Sequence, residues 1–194
     1  MASLRFIPNA LCILRMLLLG PVVWLLLAHE FPLTLAVFAL AAFTDGLDGF
    51  IAKRYGWTSE LGKILDPLAD KILLVGVFIT LALIGLVPVW LAAVAVTRDV
   101  VITAGAIAYN SLYGDPRGRP TWISKINMLC QVLYVLTIVS AHALQRTADV
   151  ALAVLGALVL VTAVVSGLDY VITYTQKAMA ASASRRTNGA RSSR

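Results

Sequence analysis

The stretch LTLAVFALAAFTDGLDGFIAKRYGWTSELGKILDPLADKILLVGVFITLALI, residues 33–84, decides the fold class of this chain. Two apolar runs, Leu33–Phe43 and Ile72–Ile84, enclose a more polar segment that contains four aspartates, Asp45, Asp48, Asp66 and Asp70. Uninterrupted apolar runs are typical of helices that are buried or lie in a bilayer. A charged side chain at the centre of a membrane span costs about 2.5–3.5 kcal/mol. Aspartates this close to two apolar helices therefore indicate a function.

The whole chain has the composition of a membrane protein. Its 194 residues are 60% hydrophobic and 13% charged, whereas a soluble domain carries about 25% charged residues. The mean hydropathy is +0.87. We therefore predict an all-α, polytopic membrane protein. Since about 20 mainly apolar residues are needed to cross a bilayer as a helix, six transmembrane helices are expected: Ile7–Ala28, Pro32–Ile51, Ile64–Leu86, Pro88–Tyr113, Trp122–Ala143 and Val150–Tyr174.

Lysine and arginine are unequally distributed between the two sets of connections. One set contains Arg5, Lys53, Arg54, Lys63, Arg117, Arg119, Lys125 and the residues from Lys177 onward, and the opposite set contains Arg146. Positively charged connections are retained in the cytoplasm. Both termini are therefore predicted to be cytoplasmic, and the expected location is a bacterial inner (plasma) membrane with the site facing the cytoplasm.

The chain is predicted to divide into a membrane domain, residues 1–176, and a basic tail, residues 177–194. The tail segment Ala178–Arg194 is rich in alanine, serine and arginine and has nothing to bury, so we expect it to be disordered. Its arginines either lie at anionic headgroups or serve only to set the topology.

The aspartates recur at helical spacing. Asp45, Asp48, Gly49 and Ala52 share one face of the second predicted helix, and Gly62, Asp66 and Asp70 share one face of the third. Because the connection between these helices is short, the four carboxylates are predicted to converge just below the cytoplasmic surface. Without a counter-ion they would repel one another in a low dielectric, whereas Mg²⁺ and Mn²⁺ prefer such oxygen ligands. The alternative, ordinary surface charges in a solvated loop, is disfavoured by the spacing and by the glycine and alanine neighbours.

This pattern resembles the signature of the CDP-alcohol phosphotransferases, Asp-x2-Asp-Gly-x2-Ala-Arg-x8-Gly-x3-Asp-x3-Asp. The chain reads Asp45-Gly-Leu-Asp48-Gly49-Phe-Ile-Ala52-Lys53, then eight residues to Gly62, then Asp66 and Asp70. It departs from the signature at Lys53, where arginine is usual, although Arg54 follows directly. The flanking segment Leu65–Lys71 is similar to the glycerophospholipid branch of the family.

The resemblance implies a metal-dependent transfer of a phosphatidyl group from CDP-diacylglycerol to a glycerol-type acceptor, with release of CMP. Asp45, Asp48 and Asp66 would bind two Mg²⁺ or Mn²⁺ ions, and Asp70 would complete the metal site and act as general base. The CDP moiety would contact Gly49, Ala52, Lys53 and Gly62. The resemblance also implies a homodimer and gives no reason to expect a nucleic-acid partner.

Arg98 and Asp99 lie inside the fourth predicted span, where ionised groups are costly. We predict that Arg98 binds the phosphate of the acceptor in a bidentate manner and that Lys125 joins it. Two alternatives stay open for Arg98, an internal Arg–Asp pair and a bond to a backbone carbonyl. Lys125 could equally anchor its helix at the membrane interface.

Two acceptors are compatible with the family resemblance, phosphatidylglycerol and glycerol 3-phosphate. Enzymes that use glycerol 3-phosphate usually carry a second arginine eight residues after the first, where this chain has Ala106. The segments Arg98–Val100 and Pro120–Asn127 resemble eukaryotic-type cardiolipin synthases, whereas Val165–Tyr170 resembles the end of phosphatidylglycerophosphate synthases. The sequence therefore favours phosphatidylglycerol as acceptor and cardiolipin as product.

A small ion or solute transporter is the alternative from a different class. Six spans with intramembrane acidic groups would permit it. The carboxylates, however, gather at one face of the membrane instead of lining a path across it, and no inverted repeat is visible in the sequence.

Overall fold

The computed structural model of the protein describes residues 7–41, 62–113 and 122–192. Within these ranges all regular secondary structure is α-helix, and no strand is present. The described helices are α1 (Ile7–Leu27), α2 (Phe31–Ala41), α3 (Gly62–Leu83), α4 (Val89–Tyr113), α5 (Trp122–Ala143) and α6 (Asp149–Ser192). The predicted all-α class is confirmed. The helices α3, α4 and α5 begin and end within about three residues of the predicted spans, because apolar runs and turn residues mark their ends in the sequence.

The turns that follow α1, α3 and α5 share one backbone motif. Two residues after the end of each helix the chain has a residue with positive φ: His29 (59°), Gly85 (78°) and Gln145 (51°). In each turn that residue donates its N–H to the carbonyl three residues earlier, and the next residue donates to the carbonyl five residues earlier. This is the Schellman cap, which satisfies the last carbonyls of a helix and reverses the chain. The three turns therefore produce three helical hairpins, α1–α2, α3–α4 and α5–α6.

The three turns lie at the same end of the bundle. The ring of Phe31, beside the first turn, is 4.9 Å from that of His142, beside the third. Early in α4 and α6, a side chain on Gly156 would contact Leu91, and further along the same helices a side chain on Gly105 would meet Tyr170. Thus α4 and α6 run in the same direction, and α3 and α5 run opposite to them. The starts of α3 and α5 lie together at the end away from the turns.

The core is apolar and lies between the helices. Its fully buried side chains include Leu26 from α1, Phe78 from α3, Leu91 from α4, Ile138 from α5 and Val159 from α6. Large apolar side chains also cover the outside, with Trp24, Leu83, Trp122 and Val150 between 68% and 80% exposed. Such an apolar exterior suits contact with lipid rather than water.

Two described helices are long and apolar enough to cross a membrane, Trp122–Ala143 and Asp149–Tyr170. Three further apolar stretches, Met16–Leu27, Phe31–Ala41 and Lys71–Leu83, are shorter. These helices support a membrane protein, and the full set of six spans stays a prediction.

The residues of the predicted tail lie in the last described helix. The backbone of α6 continues as helix to Ser192. Alanine and arginine, which are frequent in this segment, are among the strongest helix formers. The division into a membrane domain, residues 1–176, and a separate disordered tail, residues 177–194, stays a prediction.

The turn at Gly85 provides a stability prediction. An L-residue in left-handed helical geometry costs about 1–2 kcal/mol, so Gly85→Ala should lower the melting temperature of the detergent-solubilised protein. Gly167 in α6 is the matched control, because a Cβ there meets nothing within 4 Å. Gly167→Ala should leave the melting temperature unchanged or raise it, since alanine favours helix. Equal changes for both variants would contradict the assigned turn.

Candidate active site at the end of the bundle away from the turns

The first turns of α3 carry three residues of the predicted site. Gly62, Asp66 and Asp70 are all within this helix, and residues four apart on a helix share one face. For these three the structure describes the backbone. The other predicted positions, Asp45, Asp48, Gly49, Ala52 and Lys53, lie outside the described residues. The helical backbone of α3 is compatible with the predicted shared face, and the convergence of four carboxylates stays a prediction.

A buried polar cluster lies beside this part of α3. Its centre is an ion pair on α4, in which Nη1 of Arg98 donates to Oδ1 of Asp99 at 2.5 Å. Both residues are buried, with 8% and 6% of their surfaces exposed. The Nη2 atom of Arg98 donates to the hydroxyl of Ser124 on α5 at 2.8 Å and to that of Ser166 on α6. The two hydroxyl oxygens are 3.1 Å apart.

The cluster joins three helices whose residues are distant in sequence. Gln131 on α5 makes a long contact with Asp99, 3.5 Å from Nε2 to Oδ2. A second polar link connects α5 to α6, where Thr162 donates to Oδ1 of the fully buried Asn127 at 2.9 Å. Hydrogen bonds made by charged groups stabilise a fold by about 1.5–3 kcal/mol each. The cluster therefore fixes the relative positions of α4, α5 and α6.

The cluster is close to the aspartates on α3. Asp99 and Gln131 line a small pocket together with Leu74 and Val75. Leu74 is one helical turn beyond Asp70, about 6 Å along the helix axis. The ion pair therefore lies about one turn deeper in the bundle than the predicted general base.

Arg98 adopts the internal Arg–Asp pair that the sequence left open. Its two terminal nitrogens donate to Asp99, Ser124 and Ser166. Its Nε has no hydrogen-bond partner among the described residues. Both terminal nitrogens are thus engaged within the protein, and the predicted bidentate binding of an acceptor phosphate would require them to exchange partners.

The other predicted acceptor residue, Lys125, is exposed near the start of α5. Its Nζ lies 5.2 Å from the centroid of the Trp122 ring, a cation–π contact of the kind that basic and aromatic residues make at interfaces. This contact fits the anchoring alternative, and acceptor binding by Lys125 stays a prediction. The side chain of Ala106 lies outside the described residues.

Sequence reasoning assigned no role to Lys71 and Thr103. The Nζ of Lys71 donates to Oγ1 of Thr103 at 2.6 Å, and that hydroxyl donates to the backbone carbonyl of Asp99 at 2.7 Å. The sequence signal for Lys71 is its position directly after Asp70, immediately before the apolar run Ile72–Ile84. The sequence around Thr103 does not indicate a role for it, because its partner Lys71 is 32 residues away in the chain.

The side chains that the structure describes contain no group of three or more His, Cys, Asp or Glu residues placed to bind a metal ion. Of the predicted ligands, Asp66 and Asp70 have only their backbone described. Carboxylates one turn apart on one face offer the hard oxygen donors that Mg²⁺ and Mn²⁺ take, so these positions fit a divalent ion.

Comparison with known proteins assigns the family. Residues 5–165 match the family model described as CDP-alcohol phosphatidyltransferase. The chain belongs to this family. The match includes the whole aspartate motif, the Arg98–Asp99 pair and Lys71, and it identifies the chain as a member of a family of transferases.

Relatives within the CDP-alcohol phosphatidyltransferase family have two kinds of name. Human "Cardiolipin synthase (CMP-forming)" is 34% identical over 180 residues, which cover 84% of this chain and 60% of the human protein. The "Probable phosphatidylglycerophosphate synthase" of Mycobacterium tuberculosis H37Rv is 32% identical over 136 residues, covering 70% of this chain and 63% of the relative. The chain thus spans less than two thirds of the length of these relatives.

The buried ion pair predicts strongly non-additive mutations. Asp99→Leu leaves the Arg98 charge buried and unpaired, which costs about 3–5 kcal/mol. The double variant Arg98→Met/Asp99→Leu removes both charges and should recover most of this loss, as measured by denaturant unfolding in micelles. As a control, Asp149→Leu at the exposed start of α6 should cost no more than about 1 kcal/mol. Destabilisation of the double variant equal to the sum of those of Asp99→Leu and Arg98→Met, each measured alone, would argue against a buried pair.

Proposed function

We propose that the protein is an integral membrane enzyme that transfers a phosphatidyl group from CDP-diacylglycerol to a glycerol-type acceptor and releases CMP. The observation that carries this proposal is the family match over residues 5–165, because it contains the aspartate motif at full spacing. The position of Asp66 and Asp70 on one face of α3, next to a buried polar cluster, supports it.

The motif residues divide the chemistry between them. Asp45, Asp48, Asp66 and Asp70 would bind two divalent ions, Mg²⁺ or Mn²⁺, which when bound stabilise charge on the diphosphate. Asp70 takes the proton of the acceptor hydroxyl. The acceptor oxygen attacks the phosphorus that bears the diacylglycerol, and the bond from this phosphorus to the oxygen of CMP breaks, so no covalent enzyme intermediate is needed.

The nucleotide is assigned to the small and basic positions of the motif. Gly49, Ala52 and Gly62 lack bulky side chains, so the CDP moiety can approach the helix backbone closely. Lys53 supplies a positive charge for the diphosphate. The acyl chains of the donor stay in the bilayer.

Phosphatidylglycerol is the proposed acceptor, and cardiolipin the product. The name of the human relative and the alanine at position 106 support this choice. Glycerol 3-phosphate is the alternative, favoured by the name of the mycobacterial relative. A dianionic phosphate without a lipid tail needs more cationic ligands than a phosphodiester, and the second arginine that would supply one is absent at Ala106.

The same proposal includes the membrane arrangement. Six spans, cytoplasmic termini and a site open to the cytoplasm agree with the distribution of lysine and arginine and with the two described helices long enough to cross a membrane. A bacterial inner membrane and a homodimer are the proposed location and assembly.

The acceptor prediction is tested with purified protein and CDP-diacylglycerol. Each acceptor is offered separately, and CMP and the lipid products are identified by mass spectrometry. We expect cardiolipin to form from phosphatidylglycerol faster than phosphatidylglycerophosphate forms from glycerol 3-phosphate. Ala106→Arg should shift the preference toward glycerol 3-phosphate about tenfold, since a charge-assisted contact contributes about 1.5–3 kcal/mol. If the protein uses glycerol 3-phosphate rapidly and does not use phosphatidylglycerol, glycerol 3-phosphate is the acceptor. If no CMP forms with either acceptor, the transporter alternative is favoured.

Variants of Asp66 and Asp70 distinguish the role of metal ligand from that of general base. Asp66→Asn removes an anionic metal ligand, so CMP release should fall below about a tenth of the wild-type rate, given the large contribution of metal ions to such reactions. Asp70→Asn should retain affinity for CDP-diacylglycerol and lose turnover, because it removes the proton acceptor. Asp169→Asn in the middle of α6 is the control and should keep activity. Equal loss of affinity and turnover in Asp70→Asn would assign Asp70 to metal binding alone.

A further inference from the structure

A cavity of about 520 Å³ lies between α1, α3 and α4. Most of its wall is aliphatic, with Leu19 from α1, Val75 from α3, and Val100 and Ala104 from α4. An apolar cavity of this size within a membrane protein suits hydrocarbon chains better than a water-soluble molecule. Its occupant is therefore expected to be a lipid.

One end of the cavity carries a positive charge. Lys71 and Thr103 line it, and the 2.6 Å bond between Nζ and Oγ1 uses one of the three ammonium donors. Asp99 also reaches the cavity, but its carboxylate already accepts from Arg98 at 2.5 Å. Among the described side chains that line this end, Lys71 therefore supplies a net positive charge, which an anionic group would complement.

The cationic end lies beside the proposed reaction centre. Lys71 directly follows Asp70 on α3, about 1.5 Å further along the helix axis. Because its Nζ bonds to Thr103 on α4, a lipid phosphate bound to Lys71 would lie beside the turn of α3 that carries the proposed base. In a phosphatidylglycerol molecule, the free hydroxyl is at the far end of a glycerol attached to that phosphate, so the hydroxyl can extend toward Asp70 while the acyl chains remain in the cavity.

We propose that Lys71 and Thr103 bind the phosphodiester of the acceptor phospholipid and that the cavity between α1, α3 and α4 holds its acyl chains. This assignment rests on the proposed phosphatidyl transfer and makes Lys71, rather than Arg98, the cation that selects a lipid acceptor. A single ammonium matches the single charge of a phosphodiester. It also explains why Arg98 can remain within its buried pair.

The charge is tested by kinetics with mixed micelles. Lys71→Met should raise the KM for phosphatidylglycerol between about tenfold and a hundredfold, the effect of losing a charged hydrogen bond, and Lys71→Arg should restore most of the affinity. The KM for CDP-diacylglycerol should stay within about twofold of the wild-type value, because only the acceptor loses this contact. Arg146→Met, at the turn end of the bundle, is the control for loss of a positive charge and should behave as wild type.

The cavity is tested by filling it. Ala104→Trp places a large ring in the cavity. Val101→Trp places the same ring three residues earlier on α4, at an exposed position that does not line the cavity. Only the first should raise the KM for phosphatidylglycerol. If Lys71→Met or Ala104→Trp instead raises the KM for CDP-diacylglycerol, or if neither changes the KM for phosphatidylglycerol, the acceptor assignment is wrong. The assignment is also wrong if Lys71→Met changes the KM for glycerol 3-phosphate and not the KM for phosphatidylglycerol.

Native mass spectrometry of the purified protein distinguishes this inference from the proposed reaction. Wild-type protein should retain phosphatidylglycerol in preference to phosphatidylcholine, and Lys71→Met should lose that preference at unchanged thermal stability. If lipid retention depends on Lys71 but no CMP is released, the lipid site is supported and the proposed reaction is contradicted. If CMP is released but wild type and variant retain both lipids equally, the proposed reaction stands and the lipid site at Lys71 is wrong.

Discussion

The buried ion pair of Arg98 and Asp99 is the interaction on which the rest of the arrangement depends. Transfer of two charges from water into an apolar bundle is costly, and such a pair is retained only when good geometry and further hydrogen bonds compensate for the cost. Here the hydroxyls of Ser124 and Ser166 supply those bonds from α5 and α6. Since Asp99 also accepts the Thr103 hydroxyl through its backbone carbonyl, the same residue connects the pair to the cavity wall on α4.

This polar cluster separates the bundle into two parts with different roles. Toward the turns, the helices pack through fully buried apolar side chains such as Phe78 and Ile138, and their ends are closed by hydrogen-bonded caps. Toward the other end, α3 carries Asp66 and Asp70, and the cavity proposed to hold a lipid lies beside them. A transfer reaction between two lipids needs this combination, because the acyl chains must remain in an apolar environment while the phosphates react near water.

The sequence predicted the helices and the face of α3 that carries Asp66 and Asp70, because helical periodicity and apolar run length are local properties. It did not predict the serine partners of Arg98, since Ser124 and Ser166 are 26 and 68 residues away and small polar residues in apolar helices have no periodic signal. For the same reason Lys71 received no role, although its position after Asp70 was visible. The arginine was interpreted as a phosphate ligand because an ionised group in a span indicates function, whereas the structure engages its terminal nitrogens within the protein.

The central claim is that one phosphatidyl group moves from CDP-diacylglycerol to an intact lipid acceptor. The most direct measurement supplies the purified protein with CDP-diacylglycerol carrying ¹³C-labelled acyl chains and phosphatidylglycerol carrying deuterated acyl chains, and then determines the mass of the cardiolipin and the amount of CMP. The account predicts cardiolipin with one ¹³C-labelled and one deuterated half, and one CMP for each molecule formed. Cardiolipin with two deuterated halves, or cardiolipin formed without CMP, would contradict it.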